Sequence, residues 1–245
     1  MTTLSLHQSQ TSQIYWVADN VIASDFPPVH RALRDPDGLL AIGGDLSPAT
    51  LLHAYQRGIF PWYSSGQPVL WWSPNPRCVL ELDNLKISRS LRKTLRKGIY
   101  RVSFNHCFDQ VIQSCAEPRR GHGETWLTPE MTAAYQQLHK LGHAISIETW
   151  RGDELAGGLY GIVSGKVFFG ESMFSSYPDA SKIALVHLVQ ELTRKKFRII
   201  DCQVHSQHLQ SLGATPMQRD LFVNLLNHYC LPAVAYDWPA TGILA

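Results

Sequence analysis

The sequence predicts an α+β fold, and three observations carry that prediction. Between Ala144 and Phe169, three apolar runs are separated by two glycine-containing turns, the pattern of an antiparallel meander. A helix-patterned stretch from about Lys182 to Lys196 then leads to a further apolar run, Arg198–Val204, as a crossover helix leads to a returning strand. Upstream, residues 1–100 hold an aromatic, proline-punctuated segment and a basic helix, so a small N-terminal α/β domain (1–100) is expected ahead of a core domain (101–245).

The elements follow in order. The first twenty residues have no basic start and no apolar core; they read as a polar arm and not as a secretory signal. Residues 35–62 read as loop, helix, loop: Gly43-Gly44-Asp45 turns the chain, Ser47 caps a helix with Pro48 at its first position, and Gly58 stops it. Ile59–Tyr63 and Leu70–Pro74 are too rich in aromatics and proline to be helix interior. Residues 85–97 form an amphipathic helix with Ile87, Leu91 and Leu95 on one face, and Gly98 ends it. Helix is expected across 105–116, a flexible loop over Glu117–Gly123, and a helix opened by Thr128-Pro129-Glu130 and closed by Gly142. The meander takes Ala144–Trp150, Leu155–Val163 and Val167–Phe169. After the Arg198–Val204 strand come a short helix ending at Gly213 and a last one across 219–229.

Composition removes several classes. With 44% hydrophobic and 17% charged residues in a chain of 245, a packed core is affordable and disorder is excluded as the main state. No uninterrupted apolar stretch has the length of a transmembrane helix. Five scattered cysteines (Cys78, Cys107, Cys115, Cys202, Cys230) without a Cys-x-x-Cys pair argue against a disulfide scaffold and for reduced thiols. Net charge is only +2, but it is unevenly spread. From Leu85 to Cys107 there is no acid, while Lys86, Arg89, Arg92, Lys93, Arg96, Lys97 and Arg101 all fall there. Ordinary solvent faces mix signs, so this stripe favours a phosphate contact over a merely solvated face.

The candidate chemistry lies in two strands. Phe169–Ser175 sets Glu171 between two aromatics and a methionine, either half-buried beside an apolar pocket or facing solvent at a strand end. In Asp201-Cys202-Gln203, alternation puts Asp201 and Gln203 on one face, for a substrate cleft or as an ordinary polar strand end. Cys202, His205 and His208 have a ligand-like spacing, but no fourth donor lies nearby, and no metal is expected. There is no Gly-x-Ser-x-Gly elbow, Walker loop or dinucleotide fingerprint. The aromatics of 60–72 suit either a core or a platform for stacking bases.

Six segments in chain order, DGLLAIGGDLSPATLLHAYQRGIFPWY, LWWSPNPRCVL, GETWLTPEM, LGHAISIETW, FFGESMFS and RIIDCQVHSQHLQSLGA, closely resemble the leucyl/phenylalanyl-tRNA–protein transferase family. The resemblance runs from about residue 26 to 230. It implies transfer of Leu or Phe, and also Met, from aminoacyl-tRNA to the N-terminal Arg or Lys of a protein, marking it for degradation by the N-end rule pathway. It also implies a GNAT-like acyltransferase core, a cytoplasmic monomer with no membrane contact, and no cofactor. By motif, Trp62 and Trp126 match tryptophans that hold the tRNA 3′ adenosine. Glu171, Asp201 and Gln203 match polar active-site residues. Phe168, Met173, Ser175 and Ile200 match the amino-acid pocket, and Arg89, Arg92, Arg96 and Lys97 the tRNA-facing cluster. The chain departs from the pattern at Leu159 (methionine elsewhere), Ser206 (Thr or Asn) and Met217-Gln218-Arg219 (Ile-Pro-Arg).

The chemistry so implied is aminolysis of an ester. The attacking α-amino group has a pKa near 8, so a sizeable fraction is neutral without a strong base. Gln203 is then expected to position the amine, Asp201 to orient Gln203, and Glu171 to anchor the pocket, with proximity supplying much of the acceleration. The rival on the same core is an acyl-CoA N-acetyltransferase. It would need a glycine-bearing pyrophosphate loop where Ser175–Ser181 has no glycine. A non-catalytic tRNA-binding module would explain the basic helix but not the polar cluster.

Overall fold

The computed structural model describes residues 14–18, 26–117, 125–230 and 236–239. In chain order these form β1 (Tyr15–Val17), β2 (Leu39–Gly43), α1 (Pro48–Gln56), β3 (Phe60–Pro61), β4 (Leu70–Trp72), β5 (Arg77–Glu81), α2 (Arg89–Arg96) and β6 (Arg101–Phe104). Then follow α3 (Phe108–Ala116), α4 (Pro129–Lys140), β7 (Ala144–Arg151), β8 (Glu154–Ser164), β9 (Val167–Ser175), α5 (Ala180–Arg194), β10 (Ile199–Gln203), α6 (Gln207–Ser211), β11 (Thr215–Met217) and α7 (Arg219–Tyr229). Mixed α+β is therefore the class, with two sheets and seven α-helices among the described residues.

The small sheet has the order β1-β2-β4-β3, with β1 parallel to β2 and the other pairs antiparallel. The aromatic segment thus contributes strands, as its β-favouring side chains allow. Tyr15–Val17, expected within a polar arm, pairs with β2 instead; residues 1–13 and 19–20 of that arm and the loop residues 118–123 lie outside the described residues.

The large sheet runs β11-β5-β10-β9-β8-β7-β6. Its middle is the expected meander β7-β8-β9 and the parallel return of β10 beside β9 through α5. Three strands come from stretches that gave no strand signal. β5 adds antiparallel to β10, β11 to β5, and β6 to β7. The chain leaves the small sheet at Trp72 and enters the large one at Arg77, so α2 and β5 are built on the large sheet. Two helix starts also differ. Ser88, not a residue near 85, caps α2 by accepting the Leu91 N–H, and α5 begins at Ala180.

Two cores lie on opposite faces of the large sheet. Strand residues alternate between them: Val167, Phe169 and Ile199 face the side of α1, α3, α4 and α7, while Phe168 and Ile200 face the side of α2 and α5. Leu91 anchors α2 in the second core, and Thr94 bonds Asp179 at the start of α5. No helix among the described residues is long and apolar enough to cross a membrane.

Candidate active site

β9 and β10 pair only at Val167–Ile199, Phe168–Ile200 and Phe169–Asp201. Beyond that point β9 continues along β8 to Ser175, while β10 ends at Gln203. The two parallel strands part at their carboxyl ends, and a cleft of about 640 Å³ opens there.

Both lips of the split carry a bulge. On β9, Gly170 pairs with Gly161 and Ser172 with Tyr160, so Glu171 is the extra residue. On β10, Asp201 pairs with Val79 and Gln203 with Cys78, so Cys202 is the extra one. The first bulge has a consequence for the pocket. Phe168 and Met173 are five positions apart and would face opposite sides of a regular strand. The inserted residue reverses the alternation, and both lie in the α5-side core. With Leu159, Leu185, Leu188 and Ile200 they make the apolar part of the cleft. Gly161 allows this packing, since a Cβ there would come within 2.5 Å of the Phe168 ring and 2.2 Å of the Phe169 carbonyl.

The polar part is a chain of hydrogen bonds. Gln203 donates through Nε2 to Glu171 Oε1 at 3.0 Å, and Tyr135 from α4 donates to Glu171 Oε2 at 2.7 Å. The Tyr135 and Tyr55 hydroxyls are 2.9 Å apart, so α1 is tied to the same carboxylate. Burial, offset by the Tyr135 and Tyr55 hydroxyls and reinforced by the charge of Asp201, pushes the Glu171 carboxyl up to about 7. Burial, with the Glu171 charge adding to it, holds the Tyr135 and Tyr160 phenols well above their usual range, so both stay neutral.

Asp201 does not face the cleft. It is 0% exposed and is held by Arg77, whose Nε and Nη2 donate to Oδ1 and Oδ2 at 2.8 and 2.6 Å. Arg77 also donates to the Gly58 carbonyl and lies between the Phe60 and Phe222 rings. Asp201 Oδ1 accepts the backbone N–H of Gln203 at 2.9 Å. This contact supports the left-handed conformation of Gln203 (φ 55°), which a non-glycine residue adopts only at a cost. The expectation that Asp201 and Gln203 share a face therefore changes. The bulge at Cys202 breaks the alternation, and Asp201 reaches Gln203 through the backbone from below.

The other predicted positions divide. Trp126, Phe168, Met173, Ile200, Glu171 and Gln203 line one cleft. Trp62 is 43% exposed beside Trp72 and stands outside the cleft lining. Its neighbour Tyr63 meets Thr128, two residues from Trp126, hydroxyl to hydroxyl at 3.4 Å, so the two tryptophans belong to adjoining segments. Ser175 is not in the lining. Its hydroxyl donates to the Tyr177 carbonyl and accepts the Ser181 N–H at the start of α5. Arg89, Arg92, Arg96 and Lys97 are exposed, and none is in an ion pair among the described residues. Cys202 packs towards the α5-side core while His205 and His208 are exposed; among the described residues no three His, Cys, Asp or Glu side chains gather as metal ligands do.

Sequence reasoning passed over Arg77, Tyr135, Tyr55 and Tyr160. A signal existed for the first. RCVL and IIDCQ each place one lone charge of opposite sign in an apolar run, and two buried strands so marked satisfy both charges by pairing. The tyrosines carried no such mark, since a tyrosine on a helix reads as ordinary core.

An apolar recess of side-chain size beside a carboxylate–amide relay suits a group-transfer enzyme whose donor carries an apolar side chain. The family model described as leucyl/phenylalanyl-tRNA protein transferase matches residues 79–227, and that of its N-terminal domain matches 44–75. Curated relatives named leucyl/phenylalanyl-tRNA–protein transferase include those of Aromatoleum aromaticum (58% identity, 85% of this chain and 87% of that one) and Cellvibrio japonicus (55%, 84% and 87%). That of Pseudomonas syringae pv. syringae is 51% identical over 93% of this chain and 99% of its own. The chain belongs to the leucyl/phenylalanyl-tRNA protein transferase family. Among solved structures, L-PGS from Bacillus licheniformis overlaps 66% of this chain and 52% of that one at TM-score 0.39 and 11% identity, too loosely to define a shared fold.

Proposed function

We propose that the chain transfers Leu or Phe, and also Met, from aminoacyl-tRNA to the N-terminal Arg or Lys of an acceptor protein. The observation that carries this reading is the junction of the apolar recess with the Gln203–Glu171 pair at the parting of β9 and β10. The donor side chain enters the recess among Phe168, Met173, Leu159 and Ile200. Val and Ile, with bulk at Cβ, are excluded at its neck, and Met173 is the adaptable wall that accepts both a ring and a branched chain.

The reaction forms an amide bond to the acceptor α-amino nitrogen and releases the tRNA hydroxyl. With Nε2 of Gln203 committed to Glu171, Oε1 of the amide is the atom left to accept from the incoming amine. Glu171 fixes the amide's orientation, Tyr135 and Tyr55 fix Glu171, and Asp201 with Arg77 fixes the backbone of Gln203. Gln203 is a positioning acceptor and no base, and much of the rate comes from holding two reactants together. Trp62 and Trp126 stack the terminal adenosine, and Arg89, Arg92, Arg96 and Lys97 hold tRNA phosphates without reading bases. Ser175 acts here at one remove, as the hydroxyl that joins the end of β9 to the start of α5.

The proposed setting is a cytoplasmic monomer that marks proteins for degradation through the N-end rule pathway, working without a cofactor. The proposed architecture is a GNAT-like core, supported by the meander, crossover helix and parallel return, behind a small N-terminal domain. Because β5 and α2 are built on the large sheet, that domain is proposed to close before Arg77 and not near residue 100. The deciding experiment offers labelled leucyl-tRNA, phenylalanyl-tRNA and valyl-tRNA to peptides beginning with Arg, Lys or Ala. Transfer from the first two to Arg and Lys peptides alone is expected. Equal transfer from valyl-tRNA, or to the Ala peptide, would overturn the pocket or the acceptor assignment respectively.

A further inference from the structure

The bulge that sets Gln203 also brings two thiols together. On β10, Cys202 and Gln203 jointly oppose a single residue of β5, and that residue is Cys78. Both cysteine side chains lie in the α5-side core, the Cys202 thiol facing the Ile200 carbonyl at 3.9 Å, and each thiol shifts the other's acidity as a neighbour does. Cys78 is buried and outside the cleft lining, whereas Cys202 is half-buried and lines it, so a small solute in the cleft meets Cys202, with Cys78 opposite it across the bulge. All five cysteines are free thiols, and the transfer reaction gives neither of these two any part.

We propose that Cys78 and Cys202 are a reversible redox-modification site at the floor of the cleft, closing to a disulfide under hydrogen peroxide and halting transfer. The two thiols differ in readiness. The neighbouring Cys202 thiol, helped by the Arg77 charge against burial and Asp201, lowers the Cys78 thiol, while Cys202, beside Cys78 and desolvated, is raised and keeps its proton. The Cys78 thiolate attacks one peroxide oxygen, the O–O bond breaks, and hydroxide leaves to take up a proton as water. The Cys202 sulfur then attacks the Cys78 sulfenic acid. The S–S bond forms, the S–O bond breaks, and the Cys202 proton departs with the hydroxyl as a second water. Two thiols are oxidised by two electrons and one peroxide is reduced to two waters. A thiol reductant reverses the step.

The disulfide draws Cys202 towards β5 and moves the bulge on which Gln203 is set. A misplacement of about 1 Å at such a group can cost on the order of 10²-fold in rate. The loss of transfer rests on the proposed function; the cross-link itself does not.

The test uses the full chain, reduced and then treated with hydrogen peroxide, with peptide mapping by mass spectrometry beside transfer of Leu to an Arg-starting peptide. The expected map shows the Cys78 and Cys202 peptides joined and two hydrogens lighter, separated again by dithiothreitol. Transfer by the wild type should fall at least about tenfold and return on reduction. Cys78→Ala should keep its transfer through the same treatment, and Cys202→Ser, judged on the map alone, should give no joined peptide. Peroxide-treated protein with Cys202 joined to Cys115, or oxidised singly with no Cys78–Cys202 peptide, would overturn the proposal. So would equal loss of transfer in Cys78→Ala. Reduced wild type that transfers nothing would instead defeat the function reading, and the map would still judge the thiol pair.

Discussion

Arg77 and the arginines of α2 carry the same guanidinium group in opposite circumstances. Arg77 is 1% exposed, with its donors on Asp201 and Gly58 and a phenylalanine ring on either side. Arg89, Arg92 and Arg96 stand in water on a helix anchored from below by Leu91. A buried charge has one geometry in which desolvation is repaid, so it fixes everything attached to it. An exposed charge is nearly free to move and costs little to change. Arg77 therefore belongs with precision, holding Asp201 and through it the backbone of Gln203, while α2 suits a ligand whose recognition needs charge density more than exact placement.

Breaking the first region should have the largest effect. Arg77→Met leaves Asp201 buried without its partner, and about 3–5 kcal/mol of stability should be lost in denaturant unfolding. The double variant Arg77→Met with Asp201→Leu sharpens the point. Removing both charges should recover much of that stability, yet transfer should stay low, because the Gln203 N–H no longer has its acceptor. Recovery of both stability and transfer would show that the pair serves packing alone.

The next effect is smaller in stability and large in rate. Gln203→Ala should reduce kcat on the order of 10²-fold, with aminoacyl-tRNA affinity and melting temperature close to wild type, since one oriented contact to the amine is lost. Gln203→Glu should not rescue the rate if orientation is what matters, and would if a base were limiting. Wild-type turnover in the Ala variant would remove Gln203 from the mechanism.

How much of this was legible in the sequence follows from the same contrast. The basic helix was readable because its signal is local: cations on one arc, Ile87, Leu91 and Leu95 on the other, and no acid nearby. The meander and crossover were readable from period and turn residues. The cleft was not, because it depends on two bulges, and a bulge reverses alternation without leaving a residue type behind. Periodicity alone separates Phe168 from Met173 and joins Asp201 to Gln203; both inferences fail at the inserted residues, and the pocket positions came from the family resemblance. β5, β6 and β11 were missed for a related reason. Each is short, and β5 and β11 pair with segments remote in sequence, so tertiary pairing decides them.

On the exposed side, Arg96→Glu with Lys97→Glu should leave unfolding unchanged and weaken binding of every aminoacyl-tRNA alike. Two lost phosphate contacts should reduce the slope of log affinity against log salt by about 1.4–1.8 units. A minimal aminoacyl-adenosine donor should react at near the normal rate. A matching loss with that donor would place these side chains in the fold or the site and end the contrast with Arg77.

The smallest effect is expected from Tyr135→Phe, which removes a single oxygen from the relay. The Tyr135 hydroxyl stabilises the ionised form of Glu171, so its loss should raise that carboxyl further above 7. In the proposed mechanism an ionised Glu171 holds Nε2 of Gln203, since a protonated carboxyl can donate to Oε1 and turn the amide away from the amine. The rate should therefore climb as pH rises through about 7 in the wild type, and through a higher pH in the variant. The acceptor amine, with its own pKa near 8, adds a second rising limb that is the same in both proteins. The difference should be several-fold near pH 7 and should fade towards pH 9, while Glu171→Gln, with no carboxyl to titrate, should lose the lower limb altogether. Stability moves with the same group. A carboxyl raised in the folded state favours folding below its unfolded pKa, and that contribution is lost as pH rises towards 7, so Glu171→Gln should flatten the fall in melting temperature over that window. Superimposable pH–rate curves for wild type and Tyr135→Phe would detach the tyrosines from the reaction and leave them as core residues that happen to touch a carboxylate.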